Sequence, residues 1–210
     1  MKVVELQGSS QTLSEPLKAE IIQILNQGEV IAYPTDTLYG LGVDACSTPA
    51  IAKLYELKQR SNAPVSVLVE TVDQLFEIAS ELTMKASELI QKFMPGALTV
   101  ICKSEYPFAQ QLYSTNGTVG FRIPADNISR NLPNLLGRPI TTTSVNPAGL
   151  APATNLAEIA GYFQDNITLT LDVGPLNPSR GSTVIDLTTH PFKILREGEI
   201  SRHSLQEFIN

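Results

Sequence analysis

Five basic side chains carry the chemistry that this sequence offers. Lys58 and Arg60 stand two residues apart in LKQR, Arg122 sits in GFRIP, Arg180 precedes Gly181-Ser182-Thr183, and Arg196 sits in ILREGE. Arginine's planar fork suits two-point contact with a carboxylate or a phosphate, so the set points to an anion pocket. Hydroxyl groups accompany it. In an extended segment alternate residues share a side, which places Thr142, Ser144 and Asn146 on one face and Thr141 and Thr143 on the other. The same rule turns Thr118, Gly120 and Arg122 one way and Val119, Phe121 and Ile123 the other, so a ligand could lie over Gly120. The stretch YPTDTLYGLG, residues 33 to 42, adds Thr35, Asp36 and Thr37 between a short apolar run and two glycines.

Each piece also has a plainer reading. Lys58 near a helix C-terminus complements the macrodipole, and Thr142 to Asn146 reads as an exposed strand entering an Asn-Pro turn. Thr35 and Asp36 fit side chains that satisfy turn backbone. Arg122 and Arg196 fit surface ion pairs, and Cys46 and Cys102 fit small buried residues.

Several chemistries are excluded or disfavoured. His190 and His203 stand apart from each other and from both cysteines, and no CxxC occurs, so the spacing gives neither a zinc site nor a Cys-His dyad. No GxxxxGK phosphate loop is present. A formal charge of −6 argues against a protein that coats nucleic acid, so any anion site must be local. The N-terminus lacks a signal-peptide pattern and no apolar run has membrane-spanning length, so the expectation is a cytoplasmic protein with no membrane contact.

The elements that must position these groups follow from spacing. Leu17, Ile21, Ile22 and Leu25 recur at helical intervals after Ser14-Glu15-Pro16, and Asn26-Gln27-Gly28 stops them. Residues 29–33 form a strand, Thr48-Pro49 caps a second helix that ends near Lys58, and Val65, Val67 and Val69 alternate as strand residues. One helical segment is predicted over 71–93, then strands over 97–102, 118–123, 140–144, 167–173, 183–187 and 193–196, with helices before and after the strand at 183–187. Strands mixed with helices over 210 residues give one α/β domain, residues 1–210, on a mixed, twisted open sheet.

Taken in order, YPTDTLYGLG, LKQR, PGALTV, GFRIP, TTTSVNPAG and GSTVIDL resemble the signature blocks of the YrdC/TsaC family, the threonylcarbamoyl-AMP synthases, over about residues 14–200. The resemblance implies a YrdC-like fold with a concave basic central cavity. It implies synthesis of threonylcarbamoyl-adenylate from L-threonine, bicarbonate and ATP with Mg²⁺, releasing diphosphate, for a partner complex that modifies tRNA beside the anticodon. Lys58 and Arg60 are then the catalytic pair. Thr37, Arg122, Thr142 and Ser182 surround the threonine, and Lys58, Arg60, Thr118, Ser144, Asn146 and Arg196 the nucleotide; no protein-held metal is implied. The chain departs from the pattern at Ser61-Asn62-Ala63-Pro64, at Leu68 where some members carry histidine, at Val145 and Ala148, and at Pro152 where many offer a serine. The alternatives are a YciO-like paralogue that binds double-stranded RNA without making the adenylate, and a related domain that uses another amine.

Overall fold

The computed structural model describes residues 1–6, 13–59 and 65–209. In chain order its elements are β1 (Lys2–Glu5), α1 (Glu15–Asn26), β2 (Ile31–Tyr33), β3 (Gly40–Gly42), α2 (Thr48–Leu57), β4 (Ser66–Leu68), α3 (Val72–Ile78), β5 (Ala79–Ser80), α4 (Met84–Phe93) and β6 (Leu98–Ser104). There follow β7 (Thr118–Arg122), α5 (Asn127–Leu136), β8 (Ile140–Ser144), α6 (Leu156–Phe163), β9 (Leu169–Asp172), β10 (Thr183–Asp186), β11 (Lys193–Arg196) and α7 (Gln206–Ile209). Among the described residues the strands form one mixed sheet in the order β1-β9-β2-β3-β8-β4-β7-β6-β10-β11, with β5 beside β6. The expected mixed α/β class is what the chain adopts.

Two cores lie on the two faces, and strand alternation assigns each side chain to one. Val30, Ala32, Val67, Val69, Val100, Val119 and Phe121 belong to the larger core. Their neighbours Ile31, Tyr33 and Leu68, with Ile140, Leu169 and Leu171, join Leu17, Ile21, Ile24 and Leu25 of α1 and Ile128, Leu132 and Leu136 of α5 in the second. Helices α1 and α5 cover only part of that second face. Where they stop, the residues of β4, β6, β7, β8 and β10 that share it are Ser66, Thr99, Gly120, Arg122, Thr142 and Val184, and there the sheet opens into a cavity.

Three predicted features differ. The single helix over 71–93 is two helices, because Ala79 and Ser80 pair with Ser104 and Lys103 and Thr83 starts a new helix, its hydroxyl accepting from the Ala86 N–H at 3.2 Å. The helices expected around the strand at 183–187 lie instead around β8, as α5 and α6. The stretch GPLNPSRGS before β10 holds two prolines and two glycines, which suit a loop, and the link to β11 is too short for a helix. Strands β1 and β3 were not expected. Gly40 and Gly42 have no side chains to betray a strand, yet the ring of Tyr33 lies across them: a Cβ on Gly42 would come within 2.7 Å of Tyr33 Cε1, and one on Gly40 within 3.1 Å of Cε2. The Tyr33 hydroxyl then donates to the Thr141 carbonyl at 2.9 Å, and burial pushes its pKa up, so it stays protonated.

The cysteines are inert by the same logic. Cys102 is buried, which pushes its thiol up to about 12, and Cys46 is half-buried and also raised by burial. At pH 8 a thiol reagent is expected to label the native protein slowly and to titrate both cysteines at once in denaturant. Fast stoichiometric labelling of native Cys102 would contradict this packing.

Candidate functional site

The cavity on the open face has a volume of about 560 Å³. Its charged lining is Arg122, Arg180 and Arg196, with no aspartate or glutamate among the described residues of its wall. That is a local reversal in a chain of 21 acidic and 15 basic side chains. Such a concavity attracts anions.

One side is built around Arg122. This residue is 6% exposed, and its Nη2 donates to Asp36 Oδ1 at 2.5 Å and to Thr37 Oγ1 at 2.9 Å. The loop that carries both partners is held by Thr35, whose hydroxyl donates to the Leu38 carbonyl at 2.6 Å and accepts from the N–H groups of Thr37 and Leu38, each at 3.1 Å. The hydroxyl-rich stretch thus divides its labour: Thr35 closes the turn, and Thr37 presents its oxygen to the arginine. Tyr39 anchors the loop's far end through its hydroxyl, 2.9 Å from Asp172 Oδ1.

A second side is built around Ser182. Its hydroxyl lies 2.8 Å from Thr99 Oγ1, and Arg196 Nη2 donates to the Ser182 carbonyl at 2.8 Å and to its hydroxyl at 3.2 Å. Arg196 gets there through a bulge. Val184 pairs with Arg196 and Ile185 with Ile194, so Leu195 is an extra residue in β11, and both Leu195 and Arg196 line the cavity. Behind them Glu199 clasps the loop, Oε1 accepting from the Ser179 hydroxyl and the Arg180 N–H at 2.7 Å each. These donors hold the Glu199 carboxyl below its usual range.

The fold therefore gathers Thr37, Arg122, Thr142, Ser144, Ser182 and Arg196 about one cavity. Lys58, Thr118 and Asn146 do not line it. Lys58 is 2% exposed, and its ammonium donates to the carbonyl of Ser144, to that of Asn146 at 2.9 Å and to Asn146 Oδ1 at 3.4 Å. Asn146 Oδ1 also accepts from the Ser144 hydroxyl at 2.6 Å. Lys58 thus bolts the end of α2 to the turn after β8. Thr118 is turned to Ser114, the two hydroxyls 2.7 Å apart, and Arg60 lies outside the described residues. Asp36, Ser66 and Thr99 were missed as site residues. Alternation along β4 and β6 carried the signal for the last two; nothing local signals Asp36, whose partner is 86 residues away.

The family model for Sua5, YciO and YrdC proteins, described as telomere recombination, matches residues 23–198. The chain belongs to this family. A mouse (Mus musculus) relative named threonylcarbamoyl-AMP synthase is 33% identical over 196 residues, covering 88% of this chain and 68% of its own length. The crystal structure of Pyrococcus abyssi Sua5 complexed with L-threonine superposes with a TM-score of 0.91 at 28% identity, covering all of this chain and 61% of that one. This Sua5/YciO/YrdC chain thus spans about three fifths of that relative. Escherichia coli YciO shares the fold, with a TM-score of 0.85 at 24% identity over 99% of this chain and 98% of its own. As a Sua5/YciO/YrdC protein the chain places Leu68 in the core under α1 and α5; Ser66, two residues earlier, is the β4 side chain at the cavity. Pro152 lines the cavity, offering it no side-chain hydrogen-bond donor.

Proposed function

We propose that this protein is a threonylcarbamoyl-AMP synthase, joining L-threonine, bicarbonate and ATP. The observation that carries the reading is a cavity whose charged wall, among the described residues, is entirely arginine in an acidic family member, beside relatives that bear this name. Three anionic groups must meet there: the threonine carboxylate, the carboxylated amine and the triphosphate. Converging cations offset their mutual repulsion and hold them in line.

The chemistry balances without a protein nucleophile. Bicarbonate takes up a proton and loses water to give CO2; the threonine amine adds to it and loses a proton, giving an N-carboxylate. One of its oxygens attacks the α-phosphorus, an O–P bond forms, and the P–O bond to diphosphate breaks. Mg²⁺ enters as part of the substrate MgATP, where it neutralises charge on the phosphates. Arg122, Thr37, Thr142 and Ser182 take the threonine. Arg60, Ser144 and Arg196 take the nucleotide; Lys58 and Asn146 act behind them by fixing the turn that holds Ser144, and Thr118, turned to Ser114, stands away from the cavity. The adenylate then passes to a partner complex that transfers its threonylcarbamoyl group to tRNA and releases AMP.

Incubation with ATP, Mg²⁺, L-threonine and ¹³C-bicarbonate is expected to give threonylcarbamoyl-adenylate bearing the heavy carbon, read by mass spectrometry. An active preparation whose product lacks the label would exclude this reaction. Gly120 supplies a milder test. A Cβ there would come within 2.8 Å of Ser66 Oγ, a side chain that can swing aside. Gly120→Ala should therefore fold with a melting temperature near the wild type yet raise the KM for threonine, because the methyl group and displaced hydroxyl occupy the cavity floor. Unchanged KM in steady-state assays would place the amino acid elsewhere.

A further inference from the structure

Arg122 is engaged before any substrate arrives. Its Nη2 is committed to Asp36 Oδ1 at 2.5 Å and to Thr37 Oγ1 at 2.9 Å, and its Nε is buried without a hydrogen-bond partner among the described residues. The two side chains of the pair are 8% and 15% exposed, so the contact is screened far less than a surface ion pair. Asp36 is itself fixed. Its backbone N–H donates to Asp126 Oδ2 at 3.1 Å, and Asp126 is the N-cap of α5, accepting from the Ser129 N–H at 2.9 Å and from the Ser129 hydroxyl. A line of contacts thus runs from the start of α5 through Asp126 and Asp36 to the guanidinium in the cavity wall.

A lone arginine could neutralise a substrate carboxylate without this support. What the support adds is direction: a guanidinium anchored on one nitrogen has its plane set before binding, so less rotamer freedom is lost when the ligand docks. We infer that Asp36 is a positioning residue for the amino-acid substrate, holding Arg122 in the orientation that receives the substrate carboxylate, with Asp126 as the anchor of Asp36. This rests on the synthase reading above. The competing role is a structural ion pair that stabilises the loop and leaves substrate binding untouched.

The test is Asp36→Asn, which keeps an oxygen at the same reach and removes the charge. Threonine KM in the diphosphate-release assay, and threonine Kd by calorimetry, are expected to rise about tenfold, with ATP KM within about twofold of wild type. A structural pair would instead lower the melting temperature and leave both threonine constants unchanged, which would overturn the inference. If Asp36→Asn does not fold, Asp36→Glu keeps the charge and moves it by one methylene. A threonine KM equal to wild type in that variant would likewise overturn it, and a raised one would support it. Wild-type protein that shows no threonine-dependent diphosphate release would refute the synthase reading itself, a result separate from an active wild type with an unaltered Asp36→Asn.

Discussion

Arg122→Ala should lower kcat/KM for threonine by about 100-fold or more, the scale of removing one preorganised charge from an active site. The same change should destabilise the fold. Breaking a buried ion pair by deleting one partner costs roughly 3–5 kcal/mol, because the other charge is left without compensation; here that charge is Asp36, already close to Asp126. Burial holds the Asp126 carboxyl above its usual range; the Ser129 hydrogen bonds oppose the rise, and the Arg122 charge opposes it to a smaller degree. Removing the arginine therefore takes away a positive charge that favours the ionised Asp126, and Asp126 should take up a proton more readily. Arg122→Lys retains a charge and loses the fork, so its threonine KM should lie between those of wild type and alanine. Steady-state kinetics and thermal melts on the three proteins decide the matter: wild-type threonine kinetics in a folded Arg122→Ala would remove this residue from the site.

Gly198→Ala should be the most damaging glycine-to-alanine change among the described residues. A Cβ at that position would lie 2.2 Å from the Gly181 carbonyl oxygen and 2.5 and 2.6 Å from the carbonyl carbon and oxygen of Ser182. All three atoms are backbone, so no rotamer relieves the clash, and the two segments must part. Parting them breaks the Gly198 N–H to Thr183 Oγ1 bond at 2.8 Å and the Glu199 N–H to Gly181 carbonyl bond at 2.9 Å. It also draws Arg196 away from Ser182. Overpacking of this kind costs about 1–3 kcal/mol and occasionally more, and activity should fall further than stability because the cavity wall itself moves. Gly161→Ala is the control. It lies in α6 with nothing within 4 Å of its added Cβ, and it should be neutral or stabilising by up to about 1 kcal/mol. Parallel melts and assays that found Gly198→Ala indistinguishable from Gly161→Ala would contradict the clasp.

These two residues mark where the sequence was readable and where it was not. Alternation along GTVGFRIP turns Arg122 and Gly120 toward one side, and the fold puts both at the cavity, because that strand is central and its other face is core. The same rule carries Thr142 and Ser144 to the cavity, but Thr143, which it assigns to the opposite face, lines the cavity too. It fails at Asn146, two residues beyond the end of β8, where the turn over Lys58 replaces strand geometry. The role of Gly198 has no local signature at all: it follows from the approach of a loop 17 residues earlier in the chain. The bulge at Leu195 is equally silent in KILR, since it exists only against β10. Asp36 reads as a turn residue and does sit in a turn, yet its charge is directed to a strand 86 residues away. Pairings of this range are set by topology, and the topology depends on strand order that composition and periodicity leave open.

The measurement that bears most directly on the whole account is diphosphate release by the purified protein with ATP and Mg²⁺, with threonine and bicarbonate omitted in turn. Release that requires both is the predicted result. Release that continues without threonine, or no release at all from folded protein, would contradict it.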